Sequence, residues 1–201
     1  MMIVQTSCFR YIQLLLAKEN IRFLLIAIFL LVIFQIIQTY ITDLSFNRTS
    51  ISHHELWRLI SGGLVHANFS HLLLNILGLF CLLVLYDNQI SVHTWCVTSL
   101  ILVTIINCVL YLFWPSTEFY FGFSAALHGL FVWYSLIEWR EKRVWFPLVV
   151  LLVLIGKLSL DTMPTDSLSS QIIGMRVHWQ SHWIGAVSGA LLSFIYKRKA
   201  A

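Results

Sequence analysis

The chain has 201 residues, 59% of them hydrophobic and 11% charged, with a net charge of +4 and a mean hydropathy of +0.81. A soluble domain cannot hide that much apolar surface under so little polar cover. The composition therefore excludes a water-soluble globule and implies one integral membrane domain over residues 1–201, with no nucleic acid among its partners and the lipid bilayer as its solvent.

A hydrocarbon core of about 30 Å takes roughly 20 apolar residues per helix. Six runs qualify or nearly do, at about 22–41, 70–87, 91–113, 122–139, 144–160 and 180–196, so the expected fold is all-α with six transmembrane helices and both ends on one side. The first run is too long for a signal-peptide core, and no small-residue cleavage pattern follows it, so it reads as a retained helix. Pro115 fits the end of the third run. Pro147 fits the first turn of the fifth, where a missing N–H costs little.

Arg10, Lys18, Arg22, Arg140, Lys142, Arg143, Lys197, Arg198 and Lys199 fall on the side of the two termini; Arg48, Arg58, Lys157 and Arg176 fall on the other. By the positive-inside rule both termini are cytoplasmic. The clusters "WREKR" and "YKRKA" read as solvated helix ends. Trp57, Trp114, Trp145, Trp179 and Trp183 sit near span ends, as an interfacial aromatic belt should. His93 and His178 are expected at the same boundary. Cys8, Cys81, Cys96 and Cys108 form no C-x-x-C pair and are expected to be small buried hydrophobes.

In this topology the second, fourth and sixth runs all point from outside to inside. Each carries polar residues early: His71 and Asn75, then Ser124 and His128, then His182. At 1.5 Å per residue, Ser124 lies ~24 Å from the cytoplasmic edge marked by Arg140, and His182 ~22 Å from that marked by Lys197. His71 and Asn75 lie ~24 and ~18 Å from Asp87 by the same rise. Polar groups from three helices thus meet in one layer, in the outer third of the membrane, and intramembrane polar groups mark function.

A serine hydroxyl needs a base to become a nucleophile, and histidine is the usual one near neutral pH. His128 is one turn along from Ser124, but a helical side chain leans back along its own helix and aligns poorly with that hydroxyl. His182, on another helix at matching depth, can approach from the side and is the preferred base. "HWIGAVSGALL" supplies Gly185-x-x-x-Gly189, a small-residue face for close helix packing, and Gly122 and Ala125 flank the serine. Asn75, His71 and the Ser124 backbone N–H are candidate donors to a developing oxyanion; for Asn75 an interhelical hydrogen bond is the alternative.

These residues resemble the rhomboid family of intramembrane serine proteases. "ELWRLISGGLVHANFSHLLLN" is similar to the family's Trp-Arg loop and the His-x-x-x-Asn helix after it, Gly122-Phe123-Ser124 to its serine motif, and His182-x-x-Gly185-x-x-x-Gly189 to its histidine motif. The resemblance runs from about Trp57 to Gly189. It implies a six-helix rhomboid-like bundle and a Ser124–His182 dyad, with His71 and Asn75 stabilising the oxyanion. It also implies an outer loop carrying Trp57 and Arg58 and braced by His66, and a mobile cap at about 158–179 containing "DTMPTDSLSS". Ala125 stands where the family usually has glycine, and His128 where many members have a tyrosine that stacks on the catalytic histidine. "S-x-x-L-H-G-L" with a bare six-helix core looks most like the rhombosortase branch. That resemblance implies a multi-pass protein of the bacterial inner membrane, its site opening to the periplasmic or extracellular side. It further implies single-span membrane protein substrates, exported proteins with a C-terminal Gly-Gly sorting tail.

His53-His54-Glu55 does not make a zincin site, because the positions four residues on are Trp57 and Arg58 rather than histidine. "GFSAA" lacks the last glycine of the hydrolase elbow. No metal and no cofactor are expected. The competing readings are a catalytically inactive rhomboid-like protein that binds transmembrane helices, and a haem or metal protein using His71, His128 and His182.

Overall fold

The structure, a computed structural model, describes residues 18–40, 43–86, 91–163 and 167–196. Cys8, Arg10, Asp87, Lys197, Arg198 and Lys199, with residues 164–166 of the expected cap, lie outside the described residues, and so do the termini whose side was read from charge. Among the described residues the chain forms nine helices and one two-residue ladder. In order they are α1 (Lys18–Tyr40), β1 (Phe46–Asn47), α2 (Arg48–Ser52), α3 (Arg58–Ser61), α4 (Phe69–Leu85), α5 (Val92–Phe113), β2 (Phe119–Tyr120), α6 (Ser124–Lys142), α7 (Phe146–Asp161), α8 (Leu168–Ile173) and α9 (Trp179–Ile195).

Local chemistry sets the helix starts. Asn68 accepts a hydrogen bond from the His71 N–H at the head of α4, Ser91 from Thr94 at α5, and Ser167 from Ser170 at α8, each satisfying an amide with no partner inside its helix. Pro147 sits in the first turn of α7. Two helices, α1 over Ile21–Tyr40 and α5, are long and apolar enough to cross a membrane by length and hydropathy. The other long helices fall short for visible reasons. α4, α7 and α9 have 17, 16 and 17 residues, and α6 gathers Glu138, Arg140, Glu141 and Lys142 in its last turns.

α6 is the central element. Ala125 to Leu130 and Val132 to Ser135 are all buried, and α4, α5, α7 and α9 pack around it. The closest neighbour is α9. A side chain at Gly185 would collide with the carbonyl of Ala125, and one at Gly189 with the carbonyl of Gly129. The two backbones therefore approach as only glycine allows. Outward positions stay apolar, with Leu25, Phe29, Leu152, Val153, Phe194 and Ile195 exposed.

At the rim that carries the loops, β1 pairs antiparallel with β2, Phe46 opposite Tyr120 and Asn47 opposite Phe119. The Arg48 N–H donates to the Glu118 carbonyl at 2.9 Å. The Arg48 guanidinium donates to four carbonyls: Leu110 at 2.7 Å, Tyr111 at 2.8 Å, Trp114 at 2.8 Å and Thr117 at 3.0 Å. Three of these lie at the C-terminal end of α5, where the helix dipole favours a cation; the Leu110 and Trp114 carbonyls also accept the Trp114 and Thr117 N–H groups.

Three expectations need correction. Cys81 is exposed, and Cys96 and Cys108 are half-buried, Cys96 packing against the edge of the core. Arg140 and Lys142 are not simply solvated: Arg140 donates to the Ser193 carbonyl of α9, and Lys142 pairs at 2.6 Å with buried Glu138. The cap stretch contains a helix, α8, tied to the head of α4 by a 2.7 Å bond from Asn68 Nδ2 to the Ile173 carbonyl.

Candidate active site

The head of α6 is built by the loop before it. Gly122 has φ +118°, a conformation glycine adopts without a steric cost. A Cβ there would stand 2.5 Å from His71 Cε1 and 2.7 Å from Nε2, so the imidazole lies directly on the glycine. Tyr120 Oη donates to the Gly122 carbonyl at 3.0 Å, and the Gly122 N–H donates to Gly62 at 3.3 Å. The turn releases the chain into α6 at Ser124, two residues later than the apolar run alone suggested. No side chain caps this helix, leaving the early amides at the serine.

Ser124 Oγ lies 2.9 Å from His182 Nε2. His182 is one turn into α9 and faces α6 because Gly185 and Gly189 let the two helices touch. His128 reaches elsewhere: its Nδ1 is 2.6 Å from the Ser124 carbonyl oxygen, where the ring nitrogen must donate. Its ring stacks on His182, centroids 4.2 Å apart and planes 17° apart. His128 thus supplies a flat platform under His182 and has no bond to the hydroxyl.

Behind His182 stands a residue that no motif in the sequence marks. His182 Nδ1 is 3.2 Å from Asp161 Oδ2, and the same oxygen takes a 2.5 Å contact from Lys157 Nζ. Both carboxylate and imidazole side chains are almost fully buried. Lys157, counted above on the side opposite the termini, is therefore paired with Asp161. Asp161 ends α7, which runs opposite to α4, α6 and α9, so a depth scale set on helices of one direction leaves it out. Measured from the other end of its helix, Asp161 would have fallen in the same layer.

The oxyanion candidates lie beside the serine. Asn75 and His71 line one cavity of about 360 Å³ with Ser124, His128 and His182. Asn75 Nδ2 donates to the His71 carbonyl at 2.9 Å, so one amide hydrogen is spent within α4 and the second is left for another acceptor. Among the described residues Asn75 Oδ1 and His71 Nδ1 find no hydrogen-bond partner. Gly78, Leu74, Leu127, Phe131 and Leu154 give the cavity an apolar wall, and Phe119, Met175 and Arg176 stand at its loop side.

His178, expected at the interface, lines this cavity instead. Its Nε2 lies 2.9 Å from Thr117 Oγ1, and its Nδ1 accepts from the Ser181 N–H at 3.3 Å, capping α9. Burial, and then the charge of His182, push its pKa down to about 4.

The outer loop is held by Arg58, which reaches Glu55 Oε2 at 2.6 Å, Ser45 O at 2.8 Å and Asp43 Oδ2 at 3.3 Å. Its guanidinium lies 4.4 Å from the Trp57 ring centroid. Burial alone would raise the Asp43 pKa, but bonds from Ser45 and Gln38 and the Arg58 charge leave it lowered. The His66 N–H donates to Gln35 Oε1 at 2.8 Å. Its ring packs edge-on against His71 at 5.0 Å.

Ligand atoms of His128, Asp161 and His182 lie within 4.8 Å of one another, close enough for a cation. The Lys157 ammonium already occupies the Asp161 oxygen, and a metal there would face that charge. The donor set fits a proton relay better than a metal centre.

A family model described as Rhomboid domain matches residues 53–199. That range takes in every residue of the cavity wall named above. A comparison with curated proteins found no match.

Proposed function

The chain belongs to the rhomboid family, whose members are in general intramembrane serine proteases, and from that premise we propose that it is an active endopeptidase using a Ser124–His182 dyad. One observation carries this reading: the 2.9 Å contact between Ser124 Oγ and His182 Nε2 across two helices.

In the proposed reaction Ser124 Oγ attacks a substrate carbonyl while His182 Nε2 takes its proton. The oxyanion is held by the Ser124 N–H, the second Asn75 amide hydrogen and His71, donors fixed before the charge develops. His182 then protonates the leaving amine, and a water cleaves the acyl-enzyme by the same proton route in reverse. His128 keeps the imidazole in plane from below. The substrate must present an unwound backbone, because a helix holds its carbonyls in internal bonds; glycine or other weak helix formers near the scissile bond favour this.

The finer reading is a six-span protein of the bacterial inner membrane. Both termini are cytoplasmic, and the cavity opens to the periplasmic or extracellular side. The substrates are single-span proteins, exported with a C-terminal Gly-Gly sorting tail as in the rhombosortase branch. The Ser124-x-x-Leu127-His128-Gly129-Leu130 pattern and the uneven distribution of Lys and Arg between the two sides support it.

The test is cleavage of a membrane-anchored reporter by purified protein in liposomes. Ser124→Ala and His182→Ala should each abolish cleavage, while His128→Ala should keep part of it. Cleavage unchanged in either of the first two refutes the assigned dyad. Failure of the wild type to react with a fluorophosphonate probe would instead favour an inactive relative that binds transmembrane helices.

A further inference from the structure

A neutral imidazole carries one proton on either of two nitrogens, and catalysis here needs it on the one remote from serine. His182 meets two polar partners edge-on. Nε2 faces the Ser124 hydroxyl at 2.9 Å, and Nδ1 faces Asp161 Oδ2 at 3.2 Å. A carboxylate can only accept, so it fixes the hydrogen on Nδ1 and leaves the Nε2 lone pair toward serine. The other ionisable groups around the ring do not do this. His128 lies flat against its face with Nδ1 committed to the Ser124 carbonyl. His178 is committed to Thr117 and Ser181. His71 lies across the cavity against Gly122, and Lys157 contacts the carboxylate itself.

We propose that Asp161 is a positioning residue that turns the Ser124–His182 pair into a three-membered relay, with Lys157 anchoring its carboxylate. Asp161 does not line the cavity, so it acts only through His182. When Ser124 Oγ bonds to the substrate carbonyl carbon, its proton passes to His182 Nε2. The ring is then positive, and the buried carboxylate beside Nδ1–H stabilises that charge without taking the proton. Lys157 Nζ at 2.5 Å keeps the carboxylate ionised and aimed. The relay draws one residue from each of α6, α7 and α9, so the seat of α7 against the other two matters to the chemistry.

This inference rests on the dyad reading, and the experiment separates the two. Reporter cleavage in liposomes is measured for wild type, Asp161→Asn, Asp161→Ala and Asp161→Glu, with Ser124→Ala and His182→Ala beside them. Asp161→Asn and Asp161→Ala should lower kcat on the order of 10²- to 10⁴-fold, with KM within about threefold. Asp161→Glu should recover part of the loss. In protein labelled with nitrogen-15 at histidine, wild-type His182 should carry its hydrogen on Nδ1, and Asp161→Asn should lose that preference. A kcat within twofold of wild type in both Asp161→Asn and Asp161→Ala, with Ser124→Ala and His182→Ala inactive, overturns this proposal alone. Cleavage by Ser124→Ala or His182→Ala overturns the dyad beneath it. Should the Asp161 variants fail to fold, the wild-type spectrum decides: a hydrogen on Nε2 of His182 overturns the relay.

Discussion

Adding one methyl group at Gly185 should separate the serine from its base. The new Cβ would run into the Ala125 carbonyl, with the Ala125 carbonyl carbon at 2.8 Å, where ordinary contact lies near 3.5 Å or more. α6 and α9 must part by on the order of 1 Å to relieve it, and such overpacking costs about 1–3 kcal/mol. Gly185 is less than one turn from His182, and Ala125 is next to Ser124, so the separation falls on the 2.9 Å contact. A misplacement of about 1 Å at a reacting pair costs roughly 100-fold in rate. Gly189→Ala makes the same kind of collision, with the Gly129 carbonyl, but at about 10 Å along the helix from His182 rather than about 4–5 Å. It should lose similar stability and much less kcat. Gly156→Ala is the control, since nothing lies within 4 Å of a Cβ there; it should be neutral or more stable by about 0.5–1 kcal/mol. Thermal unfolding in detergent and kcat on the liposome reporter are read for all three. Gly185→Ala with kcat within twofold of wild type, or Gly189→Ala losing as much kcat as Gly185→Ala at equal stability, would refute the reasoning.

Gly122→Ala should be inactive and destabilised by a few kcal/mol, since it combines a left-handed φ with a Cβ 2.5 Å from the His71 ring; wild-type cleavage by this variant would show that the turn is not strained by a side chain. His178 has a folded pKa of about 4, below its unfolded value near 6.5. The unfolded chain therefore binds more protons between those values, and the contribution of neutral His178 is complete above pH 6.5 and lost as pH falls toward 4. His178→Asn keeps a helix cap but cannot titrate, so its stability should fall less steeply over that window, by up to about 3 kcal/mol; parallel denaturation curves for the two proteins from pH 7 to 4 would contradict this. His128→Phe keeps a ring under His182 and should retain more kcat than His128→Ala; the reverse order would show that the bond to the Ser124 carbonyl matters more than stacking.

Much of this site is legible in the residues because membrane depth is a linear ruler. Ser124, His182, Asn75 and His71 could be placed in one layer by counting, and their side chains do line one cavity. The choice between His182 and His128 followed from side-chain direction on a helix, and His128 is turned back to the carbonyl of its own helix. Asp161 was invisible to the same ruler because α7 runs the other way and its carboxylate looked like a loop charge. His178 read as a boundary residue because nothing in the sequence shows that β2 folds under it; Tyr120 packs edge-on to its ring at 5.6 Å. The β1–β2 pairing and the short helices α2 and α3 are too brief to leave a periodic signal, and long-range partners decide them.

Four backbone oxygens converge on one guanidinium at Arg48, and three of them close the end of α5. A planar fork with five hydrogens can serve that many acceptors at once, whereas a lysine would offer a single movable point. The end of α5 and the loop after it are therefore fastened here as by a forked peg. A lysine in its place would keep the charge and lose the fork.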